Sequence, residues 1–243
     1  MRILITGGTS GLGLAMARAL ADEHQVVLTG RTAQRARSVA AELPDSVQGI
    51  GMDVRDEESV RAGRDLVVAA LGGLDVLINN AGIGMRTVNP RFLSDPQPFW
   101  EVPTAGFRDV IETNLTGYFL VARAVVGDLL AGERGRIINV SMNHRTMTRA
   151  GFVPYGPSRA GTEALSHVMA ADLADRGVRV NLLLPGGATR TGMVPDEVPE
   201  TANLLPADVM AAPVRWLCSP AADDVHDERV VASEFDEWLA GRG

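Results

Sequence analysis

Short apolar runs alternate with longer amphipathic stretches along almost the whole chain. Residues 2–6 read as a strand, and Leu14, Ala15, Ala19 and Leu20 recur at the spacing of one helix face across residues 12–22. The pair then repeats. Residues 25–29 predict a strand and 33–43 a helix closed by Pro44; 47–52 predict a strand and 56–71 a helix with Asp56 as its N-cap. A fourth strand falls at 74–79, a helix at about 107–131, a strand at 136–140, a helix at 155–174 and a sixth strand at 178–184. Residues 205–218 read as a helix opened by Pro206, and 229–232 as an edge strand. Strand and helix in strict alternation require crossover connections and therefore a parallel sheet. The pattern predicts an α/β fold: a doubly wound Rossmann fold, with a parallel sheet of about seven strands flanked by helices.

Three irregular stretches, 84–103, 142–154 and 186–205, each follow the C-terminal end of a predicted strand. That edge of an open α/β sheet is where ligands bind, and loops of this length in a compact domain are more often functional than idle. They are the expected substrate loops. The chain of 243 residues fits one α/β domain over 1–243, and 46% apolar residues suffice for a large core. A net charge of −7 and the lack of a basic run argue against a nucleic-acid partner. The one cysteine, Cys218, is read as a small core residue and suits a reducing cytoplasm. No apolar run approaches the ~20 residues of a membrane span, so a cytoplasmic protein without a membrane partner is expected. His24 and His167 lack partners at metal-ligand spacing, and no metal site is expected.

The first candidate chemistry is the turn Thr6-Gly7-Gly8-Thr9-Ser10-Gly11-Leu12-Gly13 between the first strand and first helix. Its glycines let the backbone approach a pyrophosphate, and the helix N-terminus offers unpaired N–H groups and a positive dipole end. No Lys-Ser or Lys-Thr follows, which excludes a P-loop. Sites for NAD carry an acid about 20 residues further on, to bond the ribose 2′-hydroxyl. Here the second strand ends Leu28-Thr29-Gly30-Arg31-Thr32, with an arginine and no carboxylate. A guanidinium suits a 2′-phosphate, so the expected cofactor is NADP rather than NAD.

With these residues in place, the chain resembles the short-chain dehydrogenase/reductase family over nearly its whole length. Thr-Gly-x-x-x-Gly-x-Gly is that family's glycine pattern, and Asn79-Asn80-Ala81-Gly82 matches its Asn-Asn-Ala-Gly signature. The resemblance implies that Asp53-Val54 lies against the adenine and that Asn114 supports a proton-relay water. It implies that Pro185-Gly186 marks the nicotinamide end, and that Thr189 or Thr191 contacts the carboxamide. It further implies a small-molecule alcohol or carbonyl substrate and a homodimer or homotetramer built on the long helices at 107–131 and 155–174.

The family's Tyr-x-x-x-Lys centre corresponds to Tyr155-Gly156-Pro157-Ser158-Arg159, with arginine in the lysine position. Met142 stands where the family's serine usually does, thirteen residues before the tyrosine, flanked by Ser141 and Asn143. A free tyrosine, with a pKa of about 10, is a poor proton shuttle near neutrality, and a cation one helical turn away favours its phenolate. The expected roles are Tyr155 as acid/base, Ser141 or Asn143 as carbonyl donor, Arg159 as cation beside the ribose and Asn114 as holder of the water. Arg159 cannot release a proton as lysine can, so the alternative is an NADP-binding protein with impaired catalysis and a regulatory or partner-subunit role. A sugar-nucleotide epimerase would need a longer chain. His144 and Arg145 either line a substrate pocket or are solvated. Phe92, Phe99 and Trp100 form either a pocket wall or a packing or subunit contact.

Overall fold

A computed structural model of the chain describes residues 1–194, 198 and 203–242. Seven strands form one parallel sheet in the order β3-β2-β1-β4-β5-β6-β7. They are β1 (Arg2–Ile5), β2 (Gln25–Gly30), β3 (Val47–Gly51), β4 (Val76–Asn79), β5 (Arg136–Val140), β6 (Arg179–Leu184) and β7 (Arg229–Val231). The helices are α1 (Gly11–Leu20), α2 (Ala33–Ala40), α3 (Glu57–Leu71), α4 (Thr104–Ile111), α5 (Gly117–Ala131), α6 (His144–Met147), α7 (Tyr155–Leu173), α8 (Ala211–Leu217) and α9 (Phe235–Ala240). The doubly wound fold is as the alternation predicted.

The strands are apolar on both faces because both faces are covered. Ile3, Ile5, Val26, Leu28, Val76 and Ile78 point into one layer with residues of α1, α2 and α8. Leu4, Val27, Leu77 and Ile137 point into the other, with α3, α5 and α7. Successive side chains of a strand alternate faces, so each three-residue apolar run supplies both cores. The helix ends follow local chemistry as well. Asp56 accepts hydrogen bonds from Glu58 N and Ser59 N at the start of α3, which closes on Gly72 at φ 72°.

The chain winds outward from β1 to β3, returns, and winds the other way from β4 to β7, so direction reverses between β1 and β4. At the carboxyl ends of these two strands a crevice opens, and the glycine turn and Asn79-Asn80-Ala81-Gly82 both lie there.

Several elements differ from the sequence pattern. The helix expected at 107 begins at Thr104, directly after Pro103, and contains a π-helical turn at Glu112–Thr116 that a 3.6-residue period does not register. Residues 205–218 begin as a 3₁₀ turn, Ala207–Met210, before α8. Short α6 lies inside the loop expected at 142–154, and α9 follows β7; both are too short to show a period. Residues 195–197 and 199–202 of the loop expected at 186–205 lie outside the described residues.

Thr104–Ala131 is long and apolar enough, by length and composition, to cross a bilayer. Here it lies along the sheet, with Val110, Tyr118, Val121, Val125 and Leu129 buried.

Candidate active site

The glycine turn and β4 are fastened together before any ligand enters. Thr6 Oγ1 accepts hydrogen bonds from Asn80 N and Ala81 N, each at 3.0 Å. Asn80 Nδ2 donates to Thr6 O and Gly7 O at 3.0 Å. Gly7 has φ 63°, and a Cβ there would stand 2.7 Å from Ala81 Cα. At Gly13 a Cβ would stand 2.4 Å from Gly7 O, so helix and turn can approach this closely only through glycine. Ser10 leads into α1 without a side-chain cap, and no acidic residue occupies the first turn. The first N–H groups of α1 are therefore open to an anion.

A cleft of about 740 Å³ runs from this turn across the sheet edge. Most of the residues predicted for the cofactor line it: Gly7, Thr9, Ser10, Gly11, Leu12, Arg31, Asp53, Val54, Asn80, Ala81, Gly82, Pro185, Gly186, Thr189 and Thr191. Gly13 is the exception and serves packing. At the β2 end, a Cβ on Gly30 would stand 2.7 Å from Thr9 Cγ2, so no acidic side chain fits there without displacing Thr9. Exposed Arg31 follows at the cleft wall. Asp53 is held by Arg55 at 2.7 Å, and that pairing, opposed by partial burial, keeps its carboxyl below the usual carboxylate range. Thr191 packs its methyl toward Gly11, while Thr189 is buried and donates to Gly187 O at 3.1 Å. These glycine contacts and open helix amides fit a dinucleotide.

Tyr155 opens α7 and lines the cleft, its hydroxyl 4.0 Å from Met193 Sδ. Arg159 follows one turn later and is buried, at 3% exposure. Its guanidinium carbon lies 5.5 Å from the ring centroids of both Tyr155 and Tyr118. Nη1 donates to Tyr118 Oη at 2.8 Å and Val140 O at 2.9 Å, and Nη2 faces Gly82. Nε has no partner among the described residues. Burial alone would lower the Arg159 pKa, but the two phenols outweigh it and hold the pKa above the ordinary value. Burial raises the Tyr118 phenol, which stays neutral and accepts from Arg159. The cation is permanent, and its partners are phenols and a carbonyl.

Asn114 sits in the π-helical turn, fully buried. Its Oδ1 accepts from Ile83 N at 2.8 Å, and its Nδ2 donates to Ile83 O and Ser158 Oγ, both at 3.0 Å. Asn114 O accepts from Thr162 Oγ1 at 3.0 Å. The residue clamps the end of β4 to α7 instead of lining the cleft.

Ser141 is also committed within the protein. Its hydroxyl donates to Glu163 Oε1 at 2.5 Å, while Glu163 Oε2 meets His144 Nε2 at 2.8 Å. Arg229 Nε donates to Glu163 Oε1 at 3.1 Å, and its Nη2 to Met142 O at 2.7 Å. Burial pushes the Glu163 carboxyl up, but Ser141, His144 and Arg229 together bring it below its ordinary value, so it stays ionised. A serine has one O–H to donate, and here it is donated to the Glu163 carboxylate. Asn143 is freer: Nδ2 donates to Gly186 O at 2.7 Å and keeps a second N–H, and the residue lines the cleft.

Tyr118, Glu163, Arg149 and Arg229 were missed in the sequence. A signal existed for two. Glu163 follows Tyr155 and Arg159 at the i, i+4, i+8 spacing of one helix face, and Tyr118 lies four residues after Asn114. Phe92 lines the cleft and packs edge-on against Phe152 at 5.5 Å. Phe99 and Trp100 do not line it; they are 69% and 72% exposed.

A model of the short chain dehydrogenase family matches residues 1–202. The chain belongs to the short-chain dehydrogenase/reductase family, whose members are oxidoreductases acting on CH–OH donors with a nicotinamide cofactor. It is 36% identical over 212 residues to cis-4-hydroxycyclohexanecarboxylate dehydrogenase of Sinomonas cyclohexanicum, covering 86% of this chain and 78% of that one. The fold superposes on the 3-ketoacyl-(acyl-carrier-protein) reductase of Brucella melitensis complexed with NADH, with TM-score 0.82 and 27% identity over 94% of this chain and 95% of that one. An actinorhodin polyketide ketoreductase variant solved with NADPH gives TM-score 0.81 and 27% identity over 96% and 97% of the two chains.

Proposed function

We infer that this chain is an NADP-dependent oxidoreductase that interconverts an alcohol and a carbonyl with Tyr155 as acid/base. One observation carries the reading: Tyr155 stands in the cleft with a permanent buried cation against its ring, across from an intact dinucleotide turn. When bound, the cofactor supplies or accepts the hydride at the carbon. In the reducing direction Tyr155 Oη gives its proton to the carbonyl oxygen, and in the oxidising direction it takes the alcohol proton. Arg159 keeps its charge against the Tyr155 ring, and its Nη2, beside Gly82, would meet the nicotinamide ribose of a bound cofactor. The second Nδ2 proton of Asn143 is the donor to the carbonyl oxygen, because Ser141 has spent its own on Glu163.

The cofactor preference rests on Arg31 and on the crowding at Gly30, which together favour a 2′-phosphate over a 2′-hydroxyl. Thr189 or Thr191 would contact the carboxamide of a bound cofactor. The reading includes a cytoplasmic homodimer or homotetramer acting on a small molecule. An alicyclic alcohol agrees with the 4-hydroxycyclohexanecarboxylate in the name of the Sinomonas relative. The test is a fluorescence titration of the purified chain with NADPH and NADH, followed by a carbonyl panel. NADPH binding at least tenfold tighter, with turnover on the panel, supports it. Preference for NADH refutes the cofactor assignment, and NADPH binding without turnover of any carbonyl or alcohol favours the non-catalytic alternative.

A further inference from the structure

Four arginines line the cleft, and three have evident places in its cofactor half. Arg31 stands at the end of β2, Arg55 is paired with Asp53, and Arg159 is buried against Tyr118 and Val140 O. The fourth, Arg149, lies in the other half, in the turn between α6 and α7. The described carboxylates of the cleft are Asp53 and Asp109, both beside Arg55. Among the described residues no carboxylate pairs with Arg149.

Arg149 is exposed, and its guanidinium stacks on a ring. The carbon lies 5.1 Å from the ring centroid of Phe152, which is itself buried and packed edge-on against Phe92. The turn is tied by Arg149 N to Thr146 O at 3.3 Å and by Phe152 N to Arg149 O at 3.2 Å. The apolar lining of the cleft includes Leu93, Met142, Met193 and Val194, with Asn143 and Thr146 among its polar groups. Among the described residues its forked donors meet no acceptor, so they are left for one from outside the protein. A planar guanidinium matches a carboxylate best.

We propose that Arg149 selects a carboxylate-bearing substrate: a hydroxy or keto acid with a compact apolar body between its reacting carbon and its carboxylate. The carboxylate accepts from Arg149 while the body lies on Phe152, Phe92 and Met142. The reacting oxygen faces Tyr155 and Asn143, and for that end the assignment rests on the oxidoreductase reading.

Binding tests it without any hydride moving. NADP-saturated protein is titrated calorimetrically with cyclohexanecarboxylate and hexanoate and with their neutral amides. The parent should bind each acid about tenfold to a hundredfold more tightly than its amide, the worth of a charge-assisted pair. Arg149→Gln should abolish that margin and leave amide binding unchanged, and Arg149→Lys should restore part of it. Equal binding of acid and amide, no measurable binding of the acids, or a margin that survives in Arg149→Gln overturns the assignment. Turnover of neutral acyl thioesters in a chain lacking the margin overturns it while sparing the oxidoreductase reading. The margin without turnover of any hydroxy or keto acid does the reverse.

Discussion

Arg159→Lys keeps the buried charge but shortens the side chain that carries it. Arg159 Nη1 reaches Tyr118 Oη at 2.8 Å and Val140 O at 2.9 Å from a site that is 3% exposed. A hydrogen bond from a charged donor contributes ~1.5–3 kcal/mol. Both bonds come from one nitrogen, Nη1, at the far end of the guanidinium, and the shorter lysine side chain cannot bring its ammonium to that point from the same backbone position. The planar contact with two tyrosine rings is lost as well. Against this, Tyr118 Oη still donates to Val140 O at 3.2 Å, so the carbonyl is not orphaned. The net loss is about 2–4 kcal/mol. At 2–4 °C per kcal/mol for a chain of this size, that is a drop in Tm of roughly 4–16 °C. Urea unfolding should show a lower midpoint at unchanged slope. Tyr118→Phe should cost about 1–2 kcal/mol. Because Tyr118 Oη is the donor left to Val140 O once Arg159 is shortened, the double variant should be less stable than Arg159→Lys by at least the loss seen in Tyr118→Phe alone. A lysine variant as stable as the parent, or a double variant no less stable than Arg159→Lys, would refute the account of how the cation is held.

Glu163→Gln should destabilise the chain by about 2–4 kcal/mol at neutral pH, since Arg229 and the Ser141 hydroxyl lose an ionised acceptor. The folded pKa of Glu163 is depressed, so its contribution is present above the unfolded value of about 4.3 and lost as pH falls through the folded one. The variant should therefore show a shallower loss of stability in acid, read by denaturant unfolding across pH 2–7. Arg31→Ala should weaken NADPH binding about tenfold to a hundredfold and leave NADH nearly unchanged, measured by fluorescence titration. Gly13→Ala places a Cβ 2.4 Å from Gly7 O. It should cost about 1–3 kcal/mol of stability and weaken both dinucleotides, read by calorimetry and the same titration.

Where the fold was legible, it was so for a simple reason. Residues such as Ile3, Leu4 and Ile5 are buried on both faces of the sheet and leave an unmistakable apolar run. Asp56 and Gly72 bound α3 by local chemistry alone. The π-helical turn around Asn114 leaves no periodic trace, and α6 and α9 are shorter than the window a period needs.

In the site, residues that meet along one turn or helix could be read directly: Thr6–Gly13 and the Tyr155–Arg159 pair. What could not be read was which proton goes where. Ser141 and Glu163 lie 22 residues apart, and only the packing of α7 beside β5 consigns that hydroxyl to a carboxylate. The same packing turns Arg159 toward Tyr118. The role of Arg149 depends on its having no carboxylate partner among the described residues, which only the folded cleft shows.

Tyr155 is tested most directly in a single turnover. Protein preloaded with NADPH is mixed with a carbonyl compound that the panel identifies, and loss of the reduced-nicotinamide absorbance is followed for the parent and Tyr155→Phe together. The account predicts oxidation of the bound NADPH in the parent, and the same NADPH affinity with a rate lower by about 10²–10⁴-fold in Tyr155→Phe. A Tyr155→Phe variant as fast as the parent would contradict it.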